Sequence, residues 1–177
     1  MGGMRVLKYY AFLRGINVGG RVVKMEALVR MFQALKLQEV KTFIQSGNVI
    51  FESSEKAKAL AERIEKKLLK ELGYEVPTFL RTEEELQALA KLDPFKGMKP
   101  DAKVYVTFIK DELKVKFPHV SEKDGVKILG AQKAHLFCLS LPLKGGNWGF
   151  PNVYIEKQFK ISATTRNWNT TTKILEK

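Results

Sequence analysis

The chain has 177 residues, 45% of them hydrophobic and 28% charged, which suffices for one sizeable core or two small subdomains. Its 31 basic and 19 acidic side chains give a net charge of +12, which favours anionic partners, nucleic acid included. No apolar run is long enough to span a bilayer, and the single cysteine, Cys138, excludes an intrachain disulfide. We therefore predict a cytoplasmic protein with no membrane partner.

The first half of the chain predicts the element order β-α-β-β-α-β. An aromatic, nearly continuous apolar run at 6–13 predicts a central strand, and an apolar stripe over 24–36 predicts an amphipathic helix. Two short strands around 46–48 predict a hairpin, and a second helix follows it. Pro77 assigns the next strand to a sheet edge, because proline cannot donate a ladder hydrogen bond. This order over residues 5–81 is ferredoxin-like.

The second half repeats the pattern loosely. It predicts a strand at 104–109, an ambiguous segment at 114–120, a hairpin, a helix after Asn152 and a last helix over 165–175. We predict an α+β fold of two ferredoxin-like α/β-sandwich lobes with mostly antiparallel sheets. The predicted divisions are an N-terminal lobe at 4–92, a junction at 93–100 and a C-terminal lobe at 101–177.

Three polar stretches combine glycine or hydroxyl residues with Asn or Gln. The first, 13–20, lies between a strand and a helix, where backbone N–H groups bind anions, although its spacing fits neither GxxxxGK[ST] nor GxGxxG. The second is the hairpin at 45–48, and the third, 164–168, is expected to precede or open the last helix. We predict that the three converge on one ligand site. Its residues are Arg14, Gly15, Asn17, Gly19, Gly20, Gln45, Ser46, Asn48, Thr165, Arg166 and Asn167.

Together, the motifs LRGINVGG at 13–20, QSGNVIF at 45–51 and TTRNW at 164–168 resemble an uncharacterised bacterial family, the domain-of-unknown-function family numbered 1697. Because the motifs lie near both ends of the chain, the resemblance covers nearly all of it. It implies an α+β protein built of two ferredoxin-like lobes. It implies no established activity, and therefore no catalytic role for any residue.

The motifs favour binding of an anionic or polar ligand, either a phosphate-bearing small molecule or nucleic acid. Arg14 and Arg166 would supply charge-assisted hydrogen bonds, while Asn17 could instead only satisfy the backbone of its own turn. Two alternatives stay open: an enzyme acting on phosphoesters or nucleotides, and a purely structural Arg and Asn network between the lobes. Burial of Arg14 and Arg166 would favour the structural alternative, and exposure in a cleft would favour the ligand site.

The sequence nominates no catalytic group, so whether the protein is an enzyme is left open. Ser46 has no GxSxG context and no histidine nearby in sequence, and paired catalytic carboxylates cannot be identified. The only histidines, His119 and His135, form no cluster with Cys138 or with carboxylates at metal-ligand spacing. We therefore predict no metal site and no cofactor.

Aromatic residues offer two further hypotheses. Tyr9, Tyr10 and Phe12 on the first strand could stack on RNA bases, but the RNP1 pattern is absent and a covering lobe would turn them into core. Trp148 and Phe150 lie on a glycine-rich loop and are the best candidates for a lid or a partner contact. Packing of both rings over the core is the alternative.

Overall fold

The structure, a computed structural model, describes residues 3–44 and 47–177. The chain divides into two compact units, which we call unit 1 (up to Leu86, with Lys177) and unit 2 (from Gln87 to Glu176). Each unit contains helices and one antiparallel sheet, which confirms the predicted α+β class. The predicted lobe boundaries stay a prediction.

Unit 1 has the predicted order β-α-β-β-α-β, followed by a helix within which the division between the units falls. The elements are β1 (Leu7–Leu13), α1 (Met25–Gln33), β2 (Gln38–Thr42), β3 (Asn48–Ser53), α2 (Ala57–Leu72), β4 (Thr78–Thr82) and α3 (Glu83–Leu92). The sheet has the strand order β2-β3-β1-β4, so β1 is interior and β4 lies at an edge, as Pro77 predicts.

Strand β1 is apolar almost throughout because both of its faces are buried. Tyr9, Ala11 and Leu13 belong to a core cluster with the inward stripes of α1 and α2. Tyr10 and Phe12 alternate with them along the strand and are also completely buried. This double burial explains why the run at 6–13 lacks the polar alternation of a half-exposed strand.

Unit 2 also has one antiparallel sheet. The elements are β5 (Val104–Ile109), β6 (His119–Ser121), β7 (Val126–Gln132), β8 (His135–Ser140), α4 (Pro151–Phe159), β9 (Ala163–Asn167), α5 (Trp168–Lys173) and a 3₁₀ turn (Ile174–Glu176). The strand order is β6-β7-β8-β5-β9. Where the ferredoxin-like order calls for a first helix, the chain between β5 and β7 forms the short edge strand β6. Both units therefore share the coarser description, α+β with antiparallel sheets.

The predicted start of the last helix is wrong. Residues 163–167 form β9, which pairs with β5 through Thr107 opposite Thr165, and α5 begins only at Trp168. The β-branched threonines fit a pleated strand better than a helix. Helix α4 also begins one residue before Asn152, with Pro151 in its first turn and Phe150 at the N-cap.

Candidate functional site

The first polar stretch forms a loop that joins β1 to α1. Gly15, Asn17, Gly19 and Gly20 all have positive φ, at 78°, 57°, 58° and 82°. The backbone N–H of Val23 donates a 2.7 Å hydrogen bond to Asn17 Oδ1 and closes the loop on the start of α1. The predicted local role of Asn17, which is to satisfy turn backbone, is therefore confirmed.

The second polar stretch is described only in part, because Gln45 and Ser46 lie outside the described residues. Asn48 is completely buried at the start of β3. Its Nδ2 donates to the Phe43 carbonyl at 2.9 Å, and the Phe43 N–H donates to the Asn48 carbonyl at 3.0 Å. Asn48 thus joins the two sides of the β2–β3 hairpin.

The two stretches of unit 1 meet at Gly47. The Leu13 N–H donates to the Gly47 carbonyl at 2.8 Å. A Cβ added to Gly47, which has φ of +79°, would lie 3.2 Å from the Cβ atoms of both Leu13 and Ile16. Two of the three motifs that the sequence singled out are therefore packed together, and glycine is what allows the close approach.

Three basic residues, Arg14, Arg21 and Lys24, belong to the segment between β1 and α1. Arg14 is half-buried, and its backbone N–H donates to the Pro77 carbonyl at 3.0 Å. Arg21 is exposed, with its guanidinium carbon 4.1 Å from the ring centroid of Tyr74. An open groove of 360 Å³ lies at the start of α1 and is lined by Asn17, Val22, Val23, Lys24, Met25 and Glu26.

The third polar stretch lies in unit 2, where Asn167 takes a capping role. As the N-cap of α5, its Oδ1 accepts a 2.7 Å hydrogen bond from the Thr170 N–H. Residues 164–167 all precede the last helix, which was one of the two alternatives for this stretch, and all four belong to β9. Asn167 is therefore both the last residue of β9 and the N-cap of α5.

Thr165 belongs to a buried chain of polar groups inside unit 2. Its hydroxyl donates to Asn152 Oδ1 at 2.9 Å and lies 2.7 Å from the hydroxyl of Thr107. The Thr107 hydroxyl in turn lies 3.7 Å from Cys138 Sγ. A buried hydroxyl that is left without partners would cost about 1–3 kcal/mol, so this chain stabilises the packing of α4 on the sheet.

Arg166 is buried, with 8% of its surface exposed. Its Nη1 donates to the Thr164 hydroxyl at 2.7 Å and to the Thr165 carbonyl at 3.1 Å. Burial lowers the pKa of its guanidinium to about 10, which leaves the group charged at neutral pH. The burial of Arg166 favours a structural role for its side chain over a ligand contact in an open cleft.

Unit 1 contains a counterpart of Arg166 that sequence reasoning missed. Arg81 is also 8% exposed and occupies the last position but one in β4, as Arg166 does in β9. Its Nη1 donates to the carbonyl of the preceding residue, Leu80, at 2.8 Å. Burial lowers its pKa to about 10, and Glu85 opposes that shift. One feature of the sequence could have identified Arg81: in both units an arginine directly precedes a polar residue at the start of a helix, as Arg81-Thr82 and as Arg166-Asn167.

The single cysteine and both histidines of the chain belong to unit 2. Burial raises the pKa of the Cys138 thiol to about 12, so the reactive thiolate is strongly disfavoured. His135 is buried beside the Gln132 carbonyl, and His119 Nε2 lies 2.6 Å from the Tyr154 hydroxyl. Within residues 3–44 and 47–177, no group of three or more His, Cys, Asp or Glu side chains is placed to hold a metal ion.

The sheet of unit 1 does not present its aromatic residues to solvent. Tyr9, Tyr10, Phe12 and Phe51 are all at most 2% exposed. Tyr9 stacks on Phe51 with ring centroids 5.7 Å apart. These rings are core residues, so base stacking in the manner of an RNA-recognition sheet is excluded for this conformation.

The fold and these loops define an α+β protein with an antiparallel sheet in each unit and a glycine-rich loop before its first helix. The chain belongs to the family described as "Protein of unknown function (DUF1697)", whose model matches residues 6–126. The resemblance predicted from the three motifs is thereby confirmed at the level of the family. Among proteins with curated descriptions, none matches.

A solved structure supports the fold. The conserved bacterial protein SP0830 from Streptococcus pneumoniae is similar with a TM-score of 0.69 and 21% sequence identity, over 97% of this chain and 98% of that one. Likeness at this identity shows the fold alone. In the part of the chain that the structure describes, no helix has the length and apolar character needed to cross a membrane.

Proposed function

We propose that unit 1 binds a small anionic molecule at the glycine loop, which we define as residues 14–24. The proposal keeps the predicted residues of the first motif and adds two exposed cations. Thr165 and Arg166 are left out because their side chains are buried in hydrogen bonds of unit 2, and Gln45 and Ser46 stay predictions. The residues of the proposed site are Arg14, Gly15, Asn17, Gly19, Gly20, Arg21 and Lys24.

The hydrogen bond between the Val23 N–H and Asn17 Oδ1 carries the proposal. By tying the loop to the start of α1, it holds the exposed backbone of Gly19 and Gly20 near the groove that Lys24 lines. Glycine backbone carries no Cβ that would keep a ligand away from its N–H groups. Loops of this kind before a helix are common anion-binding sites.

The packing of Gly47 supports the same conclusion by a separate route. Its contacts with Leu13 and Ile16 fix the beginning of the glycine loop from the side of the hairpin. A loop that is held at both ends loses less conformational entropy when a ligand binds, so more of the contact energy appears as affinity.

The charges near the groove restrict the ligand. Arg21 and Lys24 are exposed cations of the glycine loop, and Glu26 adds one carboxylate to the lining of the groove that Lys24 lines. An ionised carboxylate only accepts hydrogen bonds. We therefore propose a ligand that carries a hydrogen-bond donor, such as a sugar hydroxyl, beside its phosphate or carboxylate group.

The test is isothermal titration calorimetry with inorganic phosphate, a nucleoside monophosphate and succinate as probes. We expect the nucleoside monophosphate to bind most tightly, and Arg21→Gln to weaken it about tenfold through the loss of one charge-assisted contact. Arg30→Gln is the matched control, because Arg30 is also an exposed arginine but lies within α1, outside the glycine loop. Equal affinities for the two variants, or equal affinities for all three probes, would count against the proposal.

Nucleic acid is separated from a small molecule by its salt dependence. If a single-stranded oligonucleotide binds at the glycine loop, its affinity falls steeply with salt because several counterions are released together. A mononucleotide releases few counterions and keeps a shallow salt dependence. A steep slope that Arg21→Gln reduces would replace the small molecule with nucleic acid as the ligand class.

A further inference from the structure

Unit 2 has an open groove of 560 Å³ with aromatic and aliphatic walls, far along the chain from the glycine loop. It lies beside α4 and is lined by side chains from three stretches, at 123–124, at 143–150 and on α4. Trp148, Phe150 and Val153 line it with 44%, 48% and 67% of their surfaces exposed. We call it the Trp148 groove. The rings of Trp148 and Phe150 are thus exposed, whereas the alternative to a partner contact was that both pack over the core.

The loop that carries the two rings is held rigidly by backbone contacts. A Cβ added to Gly149, between the rings, would lie 2.2 Å from the carbonyl oxygens of Asp124 and Gly125. The Leu141 N–H donates to the Gly125 carbonyl at 2.7 Å, and the Gly149 N–H donates to the Leu141 carbonyl at 3.1 Å. Trp148 and Phe150 are therefore presented in fixed positions on either side of Gly149.

Each ring contacts a neighbouring side chain. Lys103 Nζ lies 4.2 Å from the Trp148 ring centroid, and the Phe150 ring meets Tyr105 edge-on with centroids 5.7 Å apart. Both residues also line the groove, and they remain 44% and 48% exposed. Rigid exposed aromatic residues around a concave apolar surface are typical of positions that bind a partner's side chains.

The charge around the groove selects the partner. Lys123 and Lys157 line it, and Lys103 lies over Trp148. Of the described residues in the lining, the acidic one is Asp124, which accepts a 2.5 Å hydrogen bond from the Ser121 hydroxyl. A groove whose lining combines lysines with exposed aromatic and aliphatic side chains complements a segment that is acidic and also carries bulky apolar side chains.

We infer that the Trp148 groove binds a short acidic segment of a partner protein, with one or two apolar side chains inserted between Trp148, Phe150 and Val153. Single-stranded nucleic acid fits the groove less well. The aliphatic walls of Leu143 and Val153 offer no stacking surface, and Lys103 already covers part of the indole. The inference concerns unit 2 and does not depend on the proposed anion site of unit 1.

The test is fluorescence polarisation with labelled probes on the full chain. The probes are a peptide in which Leu and Phe alternate with Glu, the same peptide with Lys in place of Glu, the same with Ser in place of Leu and Phe, and a single-stranded oligothymidylate. We expect only the first peptide to bind well. Trp148→Ser should weaken it at least about tenfold, as expected of a central aromatic contact.

Leu69→Ser is the matched control, because Leu69 is an apolar residue of α2 that is also 44% exposed. Lys157→Glu provides a second variant on the groove rim, and it should weaken the acidic peptide and strengthen the Lys peptide. Circular dichroism checks that each variant is folded. The inference is overturned if Trp148→Ser and Leu69→Ser bind the acidic peptide equally, if no peptide binds, or if oligothymidylate binds more tightly and competes with the peptide.

Discussion

The two glycine-rich loops of this protein are held closed by different kinds of contact. The glycine loop of unit 1 is closed by a side chain, through the hydrogen bond from the Val23 N–H to Asn17 Oδ1. The loop around Gly149 in unit 2 is closed by backbone, through the close approach of Gly149 to Gly125 and Asp124. The first loop exposes glycine backbone beside cations, and the second exposes aromatic rings.

Closure by a side-chain hydrogen bond and closure by backbone place different demands on the residues of a loop. A side-chain hydrogen bond needs only one suitable residue and leaves Gly19 and Gly20 uncrowded, with no atom within 4 Å of an added Cβ. A backbone-to-backbone closure requires glycine at the contact and fixes the neighbouring residues tightly. A loop that presents large rings in fixed positions therefore depends on the second kind. Substitutions in each loop can separate the two modes.

Gly149→Ala should have the largest effect. Its new Cβ would overlap two backbone carbonyl oxygens at 2.2 Å, and backbone cannot move aside as a flexible side chain can. We expect a loss of about 3 kcal/mol or more in the free energy of unfolding, measured by chemical denaturation. Gly145→Ala in the same loop is the control, because its φ of +86° carries strain but its added Cβ meets nothing. Similar losses in both variants would show that the close approach is not what holds the loop.

Gly47→Ala should have the next largest effect. The added Cβ would lie 3.2 Å from the Cβ atoms of Leu13 and Ile16, and its φ of +79° disfavours any residue with a side chain. Together, crowding and strain should cost about 2 kcal/mol. Gly19→Ala carries the positive φ without the crowding, so it should cost only about 1 kcal/mol. If the two melting temperatures agree, the hairpin does not support the glycine loop.

Local signals explain which parts of the fold could be predicted. Strand β1, the edge position of β4 and the capping box at Thr82 follow from residues adjacent in sequence. In that box the Glu85 N–H donates to the Thr82 hydroxyl, and the Thr82 N–H donates to the Glu85 carboxylate. The predicted helix over 165–175 wrongly includes the end of β9, because Ala163–Asn167 is short and its pairing with β5 joins residues about sixty positions apart.

The candidate site was predictable in composition but not in arrangement. The meeting of Gly47 with Leu13 depends on the register of β1 and β3, in which Phe12 lies opposite Asn48. Alternation of apolar and polar residues ordinarily fixes the register of a strand, but β1 is buried on both faces and has no such alternation. The burial of Arg166 could not be predicted either, because the local sequence around an arginine in a polar motif is the same whether its side chain faces solvent or the core.

Asn17 substitutions test the side-chain closure directly. Asn17→Gly removes the acceptor of the Val23 N–H while suiting the φ of +57°, so we expect a loss of about 1 kcal/mol in the free energy of unfolding without added backbone strain. Asn17→Ala adds the cost of a left-handed residue and should lose about 1 kcal/mol more. Asn17→Asp keeps an acceptor and should stay close to the unsubstituted protein. A neutral Asn17→Gly would mean that the loop is closed by other contacts.

The smallest expected effects concern a feature that the two loops share. Each loop sets a cation over an aromatic ring, Arg21 over Tyr74 at 4.1 Å and Lys103 over Trp148 at 4.2 Å. Exposed pairs of this kind contribute about 0.5–1 kcal/mol, so Arg21→Gln and Lys103→Gln should lower the melting temperature slightly and equally. Binding measurements should distinguish the two variants although their melting temperatures do not. Arg21→Gln should weaken binding of the nucleoside monophosphate and leave binding of the acidic peptide unchanged, and Lys103→Gln should do the reverse. If either variant weakens both probes alike, the two loops do not act as separate sites, and a loss of long-range positive charge becomes the simpler explanation.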